Sequence, residues 1–312
     1  MTEPDLFGYT QPPAEPTEYI VYHDESKEPG FWHIFLFVPE ASRGELIAAL
    51  EEAWRNSGYH GQHRHYSDLR SSSTGHSMAD CWLQILHASF QKKIGSGMLP
   101  FRTGQDRARR NPPRTFSRPL GCRMAVFRIE NGLKDLSPSM DQTRRVELTF
   151  RMGLQGACHY FHDENNPMVL RHIYIDRERQ YQRPLDKEWI LEKLRKRFRD
   201  YCRLPRECGI EGEAVSAEDR IILDAADILL GVIRNFYITP DLSALNPRRA
   251  EHCRMIQPLV DDIGKGQKRM INSRLGVFGT LSTARIEGDQ WIFAPLHKET
   301  DSNLSSHPEL PL

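Results

Sequence analysis

Three aspartates stand in segments that otherwise read as buried. Asp24 ends Tyr19-Ile20-Val21-Tyr22-His23-Asp24, a run of β-branched and aromatic residues. Asp176 ends a second such run, Val169 to Asp176. Asp227 lies in the most apolar helical stretch of the chain, IILDAADILLGVI, with Asp224 one turn earlier. At about 100° per residue these two lie about 60° apart on one helix face. A buried carboxylate is costly unless it is paired or holds a metal, and three on separate elements suggest one shared purpose. Mg²⁺ or Mn²⁺ takes carboxylate oxygens. Two such ions about 4 Å apart activate a water and stabilise the leaving oxygen of a phosphodiester. The expected ligands are Asp24, Asp176 and Asp227, with Asp224 as a further candidate. The alternatives are strand-terminal acids that cap backbone amides, and, for Asp227, a helix acid paired with Arg220 or Arg234. Glu25 follows Asp24 directly, so it joins the site as a catalytic residue only if the strand has ended there.

Other chemistry-bearing residues carry weaker signals. Ser26 reads as a turn residue. Glu178 shares the face of Asp176 if that strand continues. His60, His63 and His65 form H-x2-H-x-H, but a closed zinc site needs a second ligand pair that is not evident nearby. His65 and Asp68 are candidate substrate contacts in a loop that otherwise reads as solvated, and His159 and His162 read as surface or packing residues. Residues 102–118 hold six Arg against one Asp, a local charge of about +5. Arg107, Arg109, Arg110, Arg114 and Arg118 are therefore candidate nucleic-acid contacts, since guanidinium forks match phosphate oxygens; the alternative is a solvated loop. The basic stretch Lys193 to Arg203 reads first as a solvated helix face with i,i+4 pairs. No phosphate-binding Gly-rich loop, dinucleotide fingerprint or Ser-His-Asp ordering competes with the acids.

The elements that must position these residues alternate along the chain. Tyr19–Asp24 and Phe31–Val38 read as strands joined through Pro29-Gly30. A helix over about 43–56 opens with a capping-box spacing, Ser42 to Glu45. Residues 57–120 read as an insertion, with a helix near 77–94 and the basic loop. Arg123–Ile129 is a third strand, Gln142–Asp163 a helix with apolar residues at helical spacing, and Val169–Asp176 a fourth strand. A charged helix over Leu185–Cys202, a short strand over Glu207–Val215 and a helix over about 218–237, which Ser216 caps with Asp219 three residues on, follow. One further helix and a hairpin turning at Gly288-Asp289 close the series. Hairpins first, then βα units, predict a mixed α/β sheet with helices on its faces.

Tyr22-His23-Asp24-Glu25-Ser26 resembles the opening D-E-S strand of the bacterial family called domain of unknown function 3800. Ile173-Tyr174-Ile175-Asp176 resembles that family's second acidic strand. Leu223-Asp224-Ala225-Ala226-Asp227-Ile228-Leu229-Leu230-Gly231 is similar to its leucine-glutamine-x-alanine-aspartate-x-x-x-glycine helix, with Asp224 where the family usually carries Gln. The resemblance spans residues 19 to about 237 and is poorest over the insertion. It implies a ribonuclease-H-like fold: a mixed five-stranded sheet with flanking helices, an insertion after the second strand and a C-terminal extension. It also implies metal-dependent phosphodiester chemistry on RNA or DNA, in a bacterial or phage-related setting.

The expected organisation is a leader at 1–17, a core at 18–240 with the lid and basic loop at 57–120, a helix and hairpin at 241–297, and a tail at 298–312. The chain has 312 residues, with 42 Lys and Arg balanced by 42 Asp and Glu. Zero net charge excludes nucleic-acid binding by bulk charge alone, so any such contact needs a local patch. No run of about 18 apolar residues exists to span a membrane. Six widely spaced Cys argue against a disulfide framework and for a reduced, cytoplasmic compartment. The expected activity is a Mg²⁺- or Mn²⁺-dependent nuclease acting on nucleic acid, with a protein partner as an additional expectation. The rivals are a non-catalytic ribonuclease-H-like binding module and a phosphoesterase acting on nucleotides or small phosphate esters.

Overall fold

In the computed structural model, the described residues are 15–27, 29–61, 65–90, 116, 120–133, 136, 140–161, 168–175, 187–197, 202–205, 207–211, 215–269, 278–287 and 290–298. Strands β1 (Thr17–Lys27) and β2 (Phe31–Pro39) pair antiparallel, with Tyr22 opposite Leu36 and Asp24 opposite Ile34. The connection turns at Gly30, whose φ of 81° is left-handed, and an added Cβ there would meet the Ile129 carbonyl at 2.7 Å. β1 runs three residues beyond Asp24, so this acid sits inside the strand rather than at its end.

β2 is buried along its whole length because helices cover both faces of the sheet. Trp32, Ile34, Leu36 and Val38 enter one core, and Phe35 and Phe37 the other. β3 (Arg123–Ile129) pairs antiparallel with β2, and β4 (Met168–Ile175) runs parallel to β1, with Ile175 beside His23. Two short strands, β5 (Cys202–Arg203) and β6 (Gly209–Glu211), lie parallel to β4 at successive positions along it. Beyond β3 the sheet continues with β7 (Gly279–Glu287), parallel to β3, and β8 (Gln290–Pro295), antiparallel to β7. The expected turn at Gly288-Asp289 lies outside the described residues.

The five-stranded expectation is therefore too small: the mixed sheet has eight strands in the order β5-β4-β1-β2-β3-β7-β8, with β6 also on β4. The final hairpin was expected as part of an extension. Its backbone instead satisfies the outer edge of β3, which would otherwise expose unpaired amides.

Helices α1 (Glu40–Ser57), α2 (Ser73–Phe90), α5 (Ala217–Ile238) and α6 (Pro247–Arg269) share one core with the Tyr22–Leu36 side of the sheet. Helices α3 (Gln142–Phe161) and α4 (Lys187–Arg197) cover the opposite side through Phe150, Leu154, Ile190 and Leu194. α2 belongs to the span expected as an inserted lid, yet it buries Trp82, Leu86 and Phe90 and is integral to the core. α6 likewise buries Cys253, Ile256 and Leu259 in that core. No helix among the described residues is long and apolar enough to cross a membrane.

Candidate active site

The site is built where α5 lies along β1. Side chains two apart on a strand share a face, so Tyr22, Asp24 and Ser26 point together. Both ends of that row are tied to α5. At one end the Tyr22 hydroxyl donates to Asp219 Oδ1 at 2.5 Å. At the other, Arg234 Nη1 donates to Ser26 Oγ at 2.5 Å and to the Lys27 carbonyl at 3.4 Å. Strand and helix therefore run in the same direction, with Asp24 on the strand between the two ties and Asp227 on the helix between Asp219 and Arg234.

The Tyr22 end is an anchor. Ser216 caps α5, its hydroxyl accepting from the Asp219 N–H at 3.1 Å. Arg43 of α1 donates to both Asp219 oxygens, at 2.8 and 2.7 Å. Burial pushes the Asp219 carboxyl up, but hydrogen bonds from Arg43, Tyr22 and Ser216 outweigh it and hold the group down at about 2. Asp219 thus joins α1, β1 and α5. The sequence marked it only as a helix-start residue.

Asp227 keeps part of its carboxyl in solvent, with a side chain 22% exposed. Its Oδ2 accepts from the Tyr66 backbone N–H at 2.6 Å, and His65 Nδ1 lies 3.6 Å away. Tyr66 reaches this position because Gly231, one turn after Asp227, has no side chain. A Cβ on Gly231 would lie 2.3 Å from the Tyr66 ring. The glycine of the helix motif is thus a contact surface for Tyr66. The Tyr66 hydroxyl lies 3.4 Å from His252 Nδ1, and His252 Nε2 lies 3.2 Å from the buried Asp80. This chain joins α2 and α6 to the loop that holds Asp227. None of Tyr66, Asp80 or His252 was singled out from sequence, because their relation to Asp227 is entirely long-range.

Asp224 is buried and accepts from Arg220 Nε at 2.8 Å, an i,i+4 pair that takes one of the two arginines considered as partners of Asp227. Glu25 is buried on the other side of β1, since the strand stays regular through Lys27 and adjacent residues alternate faces. There it joins His23 and His33, whose ligand atoms with Glu25 all lie within 4.8 Å of one another. This is the one group among the described residues with three such atoms so close. Thr149 Oγ1 donates to the Val146 carbonyl at 3.0 Å, so it accepts from His33 Nε2 at 2.8 Å. His33 Nδ1 then accepts from His23 Nε2 at 2.8 Å. Burial keeps both rings neutral, pushing His33 down to about 3 and His23 well below its ordinary value.

Asp176 and Glu178 lie outside the described residues, as do His63, His162 and Arg107, Arg109, Arg110, Arg114 and Arg118. β4 can be followed to Ile175, the partner of His23 in the register that places Asp24 one step further along β1. His60, Asp68 and His159 are exposed. The hard oxygen donors Asp24 and Asp227 suit Mg²⁺ or Mn²⁺, whereas the neutral His23–His33 pair suits a softer ion. No protein-family model matches the chain, and no curated protein matches it.

Proposed function

We propose that the chain is a metal-dependent nuclease with a ribonuclease-H-like core, hydrolysing phosphodiester bonds of RNA or DNA. The observation that carries this reading is the docking of α5 on β1, tied at Tyr22–Asp219 and at Ser26–Arg234, with Asp24 on the strand and Asp227 on the helix both lying between those ties. The strand order supports it: three antiparallel strands, then β4 parallel to β1 and a further parallel edge. Mg²⁺ or Mn²⁺, when bound, would supply the Lewis acid that polarises the phosphodiester and acidifies a water. Asp24, Asp227 and Asp176 are the proposed ligands. The Tyr66 N–H and His65 orient the Asp227 carboxylate, leaving its exposed part to the ion. The Arg107–Arg118 segment is the proposed strand contact, and a cytoplasmic setting fits the thiols.

The test is cleavage of a mixed panel of single-stranded, duplex and hybrid oligonucleotides in Mn²⁺, with Asp24→Asn and Asp227→Asn alongside. The reading requires cleavage by the wild type and a loss of at least about 100-fold in each variant. One observation favours the second reading, a non-catalytic nucleic-acid- or protein-binding module: Asp227 is already engaged by the Tyr66 N–H. Binding without cleavage by the wild-type protein would select it.

A further inference from the structure

Two guanidiniums beside the Asp227 loop have no carboxylate within ion-pair distance among the described residues. Arg234 lies two turns after Asp227 on the same face of α5 and, among the described residues, spends only Nη1 on acceptors, Ser26 Oγ and the Lys27 carbonyl. Arg249, from the first turn of α6, lays its guanidinium over the Tyr66 ring, 5.3 Å from the centroid. Tyr66 is also the residue whose N–H holds Asp227. Both side chains are partly exposed, and the Nε of each is buried without an acceptor. An orphaned charged donor is costly, which a ligand oxygen would relieve.

Two further facts point to an anion. The first turn of α6, Pro247-Arg248-Arg249, carries cations and no acid, against the preference of a helix N-terminus. Arg248 is paired with Glu251 at 3.0 Å, while Arg249 is not paired. Burial lowers the Arg234 pKa, and the Arg249 charge lowers it further against the partial offset of Asp227, so the two cations repel across this corner. A phosphate would relieve that repulsion and accept the free donors, and arginine forks suit it better than lysine.

We propose that Arg234 and Arg249 form the seat for one backbone phosphate of the nucleic-acid strand, next to Asp227. The polymeric nature of the ligand rests on the nuclease reading; the anion preference rests on the two arginines. The seat lies on helices α5 and α6 and adds to the proposed strand contact of the Arg107–Arg118 segment.

The experiment is fluorescence anisotropy of a fluorescein-labelled oligothymidylate with the full chain in EDTA, so that no metal bridges acid and phosphate. Wild type, Arg249→Gln, Arg249→Lys, Arg234→Lys and Asp24→Asn are compared, with Arg285→Gln as a surface-charge control. Arg249→Gln should raise Kd by about tenfold or more, Arg249→Lys and Arg234→Lys should lie between it and wild type, and Asp24→Asn should bind at least as well as wild type. Unfolding midpoints check the fold, and if Arg249→Gln does not fold, Arg249→Lys decides. The proposal is overturned if the wild type does not bind, if the Arg249 and Arg234 variants bind like wild type, or if Arg285→Gln loses as much. The Mn²⁺ cleavage assay separates the two readings. Weakened binding in Arg249→Gln without wild-type cleavage keeps the seat and removes the nuclease. Cleavage with unaltered binding in Arg249→Gln does the reverse.

Discussion

The backbone N–H of Tyr66 donates to the Asp227 carboxylate at 2.6 Å, across 161 residues of sequence. This bond orients an acid of α5 whose side chain is 22% exposed. It depends on Gly231, which lets the Tyr66 ring lie directly on the helix. The span after β2 therefore contributes to the site through its backbone, and its histidine-rich part contributes His65, 3.6 Å from the same oxygen.

Gly231→Ala tests that dependence. The new methyl would meet three Tyr66 atoms at 2.3, 2.7 and 2.9 Å. Overpacking costs about 1–3 kcal/mol, and the better helix propensity of alanine offsets about 1 kcal/mol. Urea unfolding should show a net loss of up to about 2 kcal/mol, and Mn²⁺-dependent cleavage should fall more than stability does. Wild-type cleavage in this variant would show that the Tyr66–Asp227 bond is dispensable.

Asp224 and Asp227 lie three residues apart but have different partners. Asp224 is buried against Arg220, whereas Asp227 is partly open. Asp224→Asn keeps a hydrogen-bond acceptor for Arg220 and should leave cleavage within about threefold of wild type, while Asp227→Asn loses at least about 100-fold. Equal losses would make Asp224 a ligand.

Asp219 sets a low-pH limit on stability. Its folded pKa of about 2 lies below the ordinary 3.8. A depressed carboxyl contributes its full stabilisation above about pH 4 and loses it as pH falls through 2, where the folded state takes up the proton. The shift corresponds to about 2 kcal/mol, undiminished by solvent because the side chain is only 2% exposed. Asp219→Asn should be less stable than wild type at pH 7, and the gap should close between pH 4 and 2. A gap that stays constant over that window would refute the linkage.

The His23–His33 pair acts at higher pH. His33 has its pKa pushed down to about 3 from 6.5 by burial. Above pH 6.5 both folded and unfolded states are neutral and stability is full. Between 6.5 and 3 the unfolded chain binds the proton first, so stability falls as pH falls, by up to about 1.4 kcal/mol per pH unit for this group. His33→Gln should show a slope shallower by about that amount in urea titrations between pH 6 and 4. Parallel slopes would mean that His33 is protonated in the fold.

Local patterns made the elements legible. The run of β-branched and aromatic residues in Tyr19–Asp24, the apolar run from Phe31, the helical spacing of Val146, Phe150 and Leu154 and the capping Ser216 each depend on near neighbours. The strands and helices stand close to where these signals put them. The opposed faces of Asp24 and Glu25 were legible in the same way, once the strand is known to continue, because alternation is a property of the backbone.

What only the tertiary structure decided is which faces meet. Sequence periodicity says that β1 and α5 each have an apolar side, not that Tyr22 meets Asp219 and Ser26 meets Arg234, with Asp24 and Asp227 between these contacts. Arg43–Asp219, Tyr66–Asp227 and Arg249 over Tyr66 join residues that have no local signal, because each exists only after the helices have closed on the sheet. The place of β7 beside β3 was hidden for the same reason, since strand pairing is selected by the free edge that the folded core presents, and that edge forms far away in sequence.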